Sequence, residues 1–246
     1  MSGGRARMLG MIGKLGGIVF DTPDARALAA FYQEVAGVTP SYAGDEWVST
    51  LTPEGWKLAF QLAPDHQAPR WPDQAYPQQA HLDLLVPDLD AAVAAAIKAG
   101  ATQLPGGGDT WTTLADPSGH PFCLCANDGI DRVVLGDLCI DCPDAAGLAK
   151  FYASLLSMEV SYEGEDGAGL SAEGQPSVIF QQVENYNAPQ WPDAAHPQQY
   201  HIDVLVENID AAEQQVLQLG AKRLPGEGDD YRVYADPAGH PFCMCW

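Results

Sequence analysis

Two histidines, each with an aspartate two positions later, carry the clearest chemistry in this sequence. His81 precedes Asp83, and His201 precedes Asp203 at an offset of 120 residues. Side chains two apart on a strand point to the same face, so each aspartate reaches the side that its histidine occupies. An imidazole nitrogen can bind a divalent metal, but a histidine held by a neighbouring aspartate is also a common structural contact. Both roles stay open for both histidines.

The histidines belong to a repeat that spans most of the 246-residue chain. The repeated motifs are Trp-Pro-Asp at 71–73 and 191–193, Pro-Gln-Gln at 77–79 and 197–199, and Asp-Pro-x-Gly-His-Pro-Phe-Cys at 116–123 and 236–243. Solenoid repeats have periods of about 20–50 residues, so this longer repeat indicates a duplicated domain. We predict a first domain over 15–126, a linker over 127–134 and a second domain over 135–246.

A tryptophan in each half lies in a proline-rich loop before the histidine. Trp71 and Trp191 each start a Trp-Pro-Asp motif. Such a tryptophan is either a packing anchor or a lid that stacks on an aromatic ligand. We treat Trp71, Trp191, His81 and His201 as candidate ligand-binding residues.

The cysteines do not form a disulfide pattern. Cys123 and Cys125, like Cys243 and Cys245, are two apart on predicted strands, which is too far for a bond within a pair. Buried thiols in the core are the interpretation we favour. His120 and His240 are interpreted as turn residues.

Each half contains the order β-α-β-β-β twice. The first strand is predicted over 17–21, with Thr22 capping a helix that starts at Pro23. Leu28, Phe31 and Tyr32 form one apolar face of that helix. Strands are expected near 38–43, 46–52 and 57–62, and a second set comprises a strand over 81–86, a helix from Asp88 to Ala99, and strands near 101–104, 110–115 and 121–125. The second half is predicted to start with a strand at Asp137.

The net charge of −21 argues against nucleic acid and anionic membranes as partners. It favours a cationic ligand, or simply provides a solvated surface. No signal peptide, membrane anchor or run of 18 apolar residues is visible. We therefore expect a protein of the reducing cytoplasm.

As a set, the motifs resemble the vicinal oxygen chelate superfamily. The similarity lies in the Asp-x-x-x-Leu-Ala-x-Phe-Tyr helix, the strand that starts with His and the Asp-Pro-x-Gly-x-x-Phe turn. That superfamily includes glyoxalase I, the bleomycin resistance proteins and the extradiol dioxygenases. The resemblance implies an α+β fold of four βαβββ modules paired into two tandem glyoxalase-like domains, each a curved mixed sheet around a pocket. Whether each pocket closes within a half or between the halves stays open.

The resemblance also implies where a metal would bind. Family enzymes take ligands from the first, fifth and eighth strands. In the first half the first-strand position is Gly17, whereas in the second half the set is Asp137, His201 and Cys243. One divalent ion in the second domain is therefore expected if the protein is a metalloenzyme, and no other cofactor.

Two functions follow from this resemblance. The first is a small-molecule-binding protein that sequesters a partly aromatic ligand of positive charge, as resistance proteins of this fold do. The alternative is a metal-dependent lyase, isomerase or dioxygenase that acts mainly through the second domain. The chain is expected to be either a monomer with an internal pseudo-dimer or a homodimer.

Overall fold

The computed structural model describes residues 12–73, 75–193 and 195–246, which form four βαβββ modules. The first module contains β1 (Lys14–Thr22), α1 (Ala25–Ala36), β2 (Thr39–Ala43), β3 (Trp47–Leu51) and β4 (Lys57–Leu62). The second contains β5 (Ala80–Val86), α2 (Leu89–Ala99), β6 (Thr102–Gly107), β7 (Trp111–Ala115) and β8 (Pro121–Ala126). The third contains β9 (Val134–Cys142), α3 (Ala145–Leu156), β10 (Glu159–Glu163), β11 (Gly167–Ser171) and β12 (Ser177–Gln182). The fourth contains β13 (Tyr200–Leu205), α4 (Ile209–Gln218), β14 (Lys222–Glu227), β15 (Tyr231–Ala235) and β16 (Pro241–Cys245).

The sequence-based elements are confirmed, but several boundaries differ. β1 begins at Lys14, three residues before its predicted start, and β6 extends to Gly107. Asp24 rather than Thr22 caps α1, because its side chain accepts a hydrogen bond from the Ala27 backbone N–H. The strand predicted to begin at Asp137 begins three residues earlier, at Val134, since Val134 pairs with Leu85 on β5. The predicted linker is shorter as a result.

The modules form two eight-stranded mixed sheets, which confirms the predicted fold class. Sheet I has the order β14-β15-β16-β13-β1-β4-β3-β2, and sheet II has the order β10-β11-β12-β9-β5-β8-β7-β6. Sheet I therefore joins the first and fourth modules, and sheet II joins the second and third. Each sheet takes one module from each half of the sequence. The sheets are therefore formed between the two halves and not within one half.

The centre of each sheet is an antiparallel pair of strands from different halves, β1 with β13 and β5 with β9. Where these pairs meet, Gln79 and Gln199 exchange hydrogen bonds, each backbone N–H donating to the other's side-chain oxygen at 3.0 and 2.8 Å. Both side chains are buried. This reciprocal contact joins the two halves at their pseudo-twofold axis.

The helices cover one face of each sheet, and the core lies between them. Tyr32 and Tyr152, from the predicted helix stripe, are fully buried there and stack on Phe60 and Phe180. Strand side chains alternate between faces, so the residues between the core positions point to the opposite face. The four described helices, none longer than 12 residues, lack the length and apolar character needed to cross a membrane.

Candidate ligand and metal sites

Each sheet holds a pocket on the face away from its helices. Pocket I, on sheet I, has a volume of about 660 Å³, and pocket II, on sheet II, has a volume of about 530 Å³. The histidine, the aspartate two residues later and the cysteines two apart line both pockets, as their shared strand face requires. The two pockets are therefore related by the sequence repeat, so residues that differ between them indicate where their chemistry differs.

The floor of pocket II brings together His81, Asp83 and Cys123. One ligand atom from each lies within 4.8 Å of the others. Asp137 on β9 is directly opposite Asp83 on β5, so two carboxylates share the face of this strand pair. Burial, and then the neighbouring charge of Asp83, raise the pKa of Asp137 above its ordinary value.

Two polar atoms of pocket II have no hydrogen-bond partner among the described residues. They are His81 Nδ1 and Asp83 Oδ1, and both are buried. The nearest imidazole nitrogen to Asp83 Oδ1 is His81 Nε2, at 3.5 Å. Buried polar atoms without partners are costly, so this floor lacks a group that satisfies them. A divalent cation held by His81, Asp83 and Cys123, with Asp137 on the facing strand, fits that requirement.

Pocket I contains the equivalent histidine and aspartate, His201 and Asp203, together with a lysine that the described lining of pocket II lacks. Lys57 on β4 donates from Nζ to Asp203 Oδ2 at 2.7 Å. The residue opposite Asp203 on β1 is Gly17, and a Cβ there would collide with the Lys57 side chain. The corresponding residue of pocket II is Ser177, which is opposite Asp137 and hydrogen-bonds to it.

A glutamine behind each histidine also differs in its partners. In pocket I, Gln198 Nε2 contacts both Asp21 Oδ1 at 3.1 Å and His201 Nδ1 at 3.3 Å. In pocket II, Gln78 Nε2 donates to both oxygens of Asp141 at 3.2 Å instead. The His201 ring is thus hydrogen-bonded within the protein. Burial lowers the pKa of His201, Asp203 raises it and Lys57 lowers it further.

The walls of both pockets are aromatic. Trp47, Trp191 and Tyr231 line pocket I, while Trp71 and Trp111 line pocket II. Both predicted tryptophans therefore border a pocket. Trp71 is anchored as well, because its indole N–H donates to the Pro105 carbonyl at 2.9 Å. Glu46 and Asp230 add exposed carboxylates to pocket I.

The sequence profile of the glyoxalase-like domain matches this chain twice, over residues 17–125 and 137–245. This chain belongs to the glyoxalase-like domain family. The matched segments are the two halves of the repeat, and each contributes one module to each of the sheets described above. No curated protein sequence is similar enough to the chain to count as a relative.

Solved structures share the two-sheet fold of this glyoxalase-like protein. Glyoxalase I from Zea mays superposes with a TM-score of 0.62 at 15% identity, covering 94% of this chain and 92% of that protein. A putative dioxygenase from Bacillus subtilis superposes with a TM-score of 0.59 at 12% identity, covering 94% and 84%. At these identities the likeness concerns the fold.

The predicted metal set of Asp137, His201 and Cys243 is brought together only in part. Ligand atoms of His201 and Cys243 lie within 4.8 Å of each other and of Asp203 in sheet I, whereas Asp137 lies on β9 in sheet II. Asp137 was misplaced because the prediction combined strands within one half, and the sheets pair across halves. The groups near Asp137 are His81 and Asp83 from the first half.

The cysteines of the two Cys-x-Cys pairs border the pockets, whereas Cys142 lies in the hydrophobic core. Cys123, Cys125, Cys243 and Cys245 all border a pocket, and Cys139 donates to Asp83 Oδ2 at 3.6 Å. Burial, followed by the charge of Asp83, raises the pKa of Cys123 to about 12. Burial and the charge of Asp203 likewise raise the pKa of Cys243. These groups are neutral thiols at neutral pH, which disfavours a nucleophilic cysteine.

The interpretation of His120 and His240 as simple turn residues was incomplete. Both are fully buried, and their Nδ1 atoms contact Asp116 and Asp236 at 2.9 and 3.0 Å. The same aspartates accept hydrogen bonds from the buried hydroxyls of α1 and α3, Tyr32 and Tyr152. Each trio ties a helix to the turn before the last strand of the same half.

Several pocket residues lay outside the sequence-based candidates. Asp83 and Asp203 were considered only as partners of the histidines, and no motif drew attention to Lys57, Trp47 or Tyr231. A signal did exist for Lys57. Lys57 is a charged residue on a predicted strand, whereas the equivalent residue of the second half is Ser177. The first half also has Gly17 where the second half has Asp137.

Proposed function

We propose that this glyoxalase-like protein binds a small aromatic molecule, and that pocket I is the principal site. The observation that supports this most is the wall of pocket I, where Trp47, Trp191 and Tyr231 surround a space of about 660 Å³. That volume lies within the range of ligand sites, about 300–1,000 Å³. Aromatic side chains present flat apolar surface that stacks on a ligand ring.

The charge of pocket I favours a ligand that also carries a positive group. Glu46 and Asp230 are exposed carboxylates on its lining, and Trp191 and Tyr231 supply ring faces that attract cations. The Trp47 ring already has Lys57 Nζ 5.9 Å from its centre. The protein as a whole has a net charge of −21, which attracts cations from solution. A sequestering role, in a cytoplasmic monomer that forms its own pseudo-dimer, is consistent with these features.

Equilibrium binding to a panel of cationic aromatic natural products tests this proposal. We expect saturable quenching of tryptophan fluorescence, and Trp191→Ala should weaken binding at least tenfold. Trp246→Ala is the matched control, because Trp246 is an exposed tryptophan outside both pockets. No saturable binding across the panel, or turnover of a compound by the protein, would overturn the sequestering role.

A second candidate function rests on pocket II. The opposed carboxylates of Asp83 and Asp137, with the unpartnered atoms of His81 and Asp83, form a set of oxygen and nitrogen ligands suited to a divalent cation. Such an ion, when bound, stabilises negative charge that develops on a substrate oxygen. His81 and Asp83 would orient the site, and Trp71 and Trp111 would hold an apolar part of the substrate.

Thermal unfolding with and without Zn²⁺ tests this candidate independently of any substrate. Zn²⁺ should raise the Tm of the wild-type protein, because binding to the native state stabilises it. Asp137→Asn should raise the Tm of the metal-free protein, since it removes one of two half-buried like charges on facing strands, and should abolish the Zn²⁺ shift. Asp131→Asn is the exposed control. An unchanged Zn²⁺ shift in Asp137→Asn would exclude this site.

A further inference from the structure

The two pockets share a histidine and an aspartate but differ in their source of positive charge. In pocket II, the groups around Asp83 are Asp137, His81 and neutral thiols. In pocket I, Asp203 has Lys57 at 2.7 Å. The carboxylate that would correspond to Asp137 is absent, because Gly17 occupies its position.

We infer that Lys57 is a built-in cation that makes pocket I independent of metal. Its ammonium group occupies the position beside Asp203 where a divalent ion would bind. The ligand atoms of His201, Asp203 and Cys243 lie within 4.8 Å of one another, as do those of the matching trio in pocket II. The ammonium group beside Asp203 is what makes the family's implied metal fit pocket II and not pocket I. The inference concerns which pocket accepts a cation and does not depend on the identity of the small molecule.

The hydrogen bonds of pocket I support this assignment. Asp203 Oδ2 accepts from Lys57, and His201 Nδ1 contacts Gln198. In pocket II, His81 Nδ1 and Asp83 Oδ1 have no partner among the described residues. One ring nitrogen of His201 and one carboxylate oxygen of Asp203 are thus held by other side chains of the protein. The Asp203 side chain is only 8% exposed, so this carboxylate needs a partner of opposite charge at all times.

The Lys57 side chain on β4 occupies space beside Gly17 on the neighbouring strand β1. A Cβ at Gly17 would lie too close to Lys57 Cε, so the lysine side chain extends across the space above this glycine. In pocket II, a longer residue on β9 faces a shorter one on β12, Asp137 and Ser177. Pocket I has Gly17 and Lys57 where pocket II has Asp137 and Ser177, so the formal charges of the two pocket floors differ by two units.

The test converts pocket I to the residues of pocket II and counts bound ions. Pocket II is first disabled by His81→Ala with Asp137→Asn. In this background the full chain should bind no Zn²⁺ tightly in a competition with a chelator. Adding Lys57→Ser should create one site per chain, and adding Gly17→Asp should tighten it at least tenfold. Co²⁺ absorption should show histidine ligation at the new site.

Three further variants complete the design. Lys57→Arg keeps the cation and should create no site, and Lys98→Ser makes the same charge change on the exposed surface of α2 and should also create none. Lys57→Met keeps the aliphatic stem and should gain Zn²⁺ binding even if Lys57→Ser does not fold. Equal Zn²⁺ affinity of pocket I with Lys57 present and absent would overturn the inference, whatever the ligand panel shows.

Discussion

At the scale of single residues, the two pockets diverge through a few side chains on an otherwise repeated floor. His81 and His201 occupy equivalent positions, as do Asp83 and Asp203. The neighbours decide their chemistry, because Lys57 neutralises Asp203 and Asp137 adds a second negative charge beside Asp83. We therefore propose that the same histidine and aspartate serve a metal-independent pocket in one sheet and a cation-accepting pocket in the other.

Asp21 gives a residue-scale prediction about pH. Burial raises its pKa to about 7, against the opposing effect of a hydrogen bond from Gln198. The folded protein thus keeps a proton that the unfolded chain loses near pH 4, so the free energy of unfolding falls as pH rises from about 4 to 7. From pH 5 to 7.5, Asp21 should account for a loss of about 2–3 kcal/mol.

Asp21→Asn should remove this loss while keeping an acceptor for Gln198. Urea unfolding at pH 5 and pH 7.5 measures it. Asp141, whose pKa burial raises to about 6, contributes with the same sign in both proteins and so cancels in the comparison. An identical pH dependence in the wild type and Asp21→Asn would show that Asp21 is ionised in the folded protein throughout this range.

At the scale of elements, helix caps give the next prediction. The Asp24 side chain accepts from the Ala27 N–H at 2.9 Å, and the Asp144 side chain accepts from the Gly147 N–H at 2.9 Å. Replacing either aspartate by alanine should lower the free energy of unfolding by about 1 kcal/mol, since each leaves a helix N–H without its cap. Urea unfolding is the measurement. Asp128→Ala, in an exposed turn, is the control, and an equal loss there would contradict the capping role.

The elements were largely predictable because their signals are local. Apolar spacing indicated α1, Asp88 and Gly100 marked the ends of α2, and the Asp-Pro-x-Gly turn located β8. Thr22 was predicted as the N-cap of α1 because threonine and aspartate are both common cap residues. The backbone conformation after β1 places Asp24 at the cap instead. The early start of β9 depends on pairing with β5, a contact across the halves that no local pattern contains.

The site was predictable only in part for the same reason. His81, His201, Trp71 and Trp191 were identified by their motifs, and all four border a pocket. Their partners were not, because the module pairing is set by long-range contacts. Asp137 was therefore assigned to His201, whereas its neighbours are His81 and Asp83.

At the scale of the whole molecule, the crossed pairing makes the two halves interdependent. β1 pairs with β13 and β5 pairs with β9, so each half supplies the centre of both sheets. A separated half would expose two strand edges that the other half normally covers. The tandem chain thus encloses two pockets, each of which needs residues from both matched segments.

Cleavage of the connection between the halves tests this interdependence. A protease site inserted after Asp128, in the exposed turn between β8 and β9, should be cut without separating the halves. The cleaved protein should elute as one species in size-exclusion chromatography and split into two in denaturant. Separation of the halves in native buffer would contradict the crossed pairing.

Two pockets built on the same repeat thus have different charges at their floors, one suited to a divalent cation and one with a cation of its own, Lys57. Native mass spectrometry of the wild-type chain, equilibrated with Zn²⁺ and then with a competing chelator, tests this difference most directly. We predict one retained ion per chain. Two retained ions would show that Lys57 does not exclude metal from pocket I, and none would show that pocket II is not a cation site.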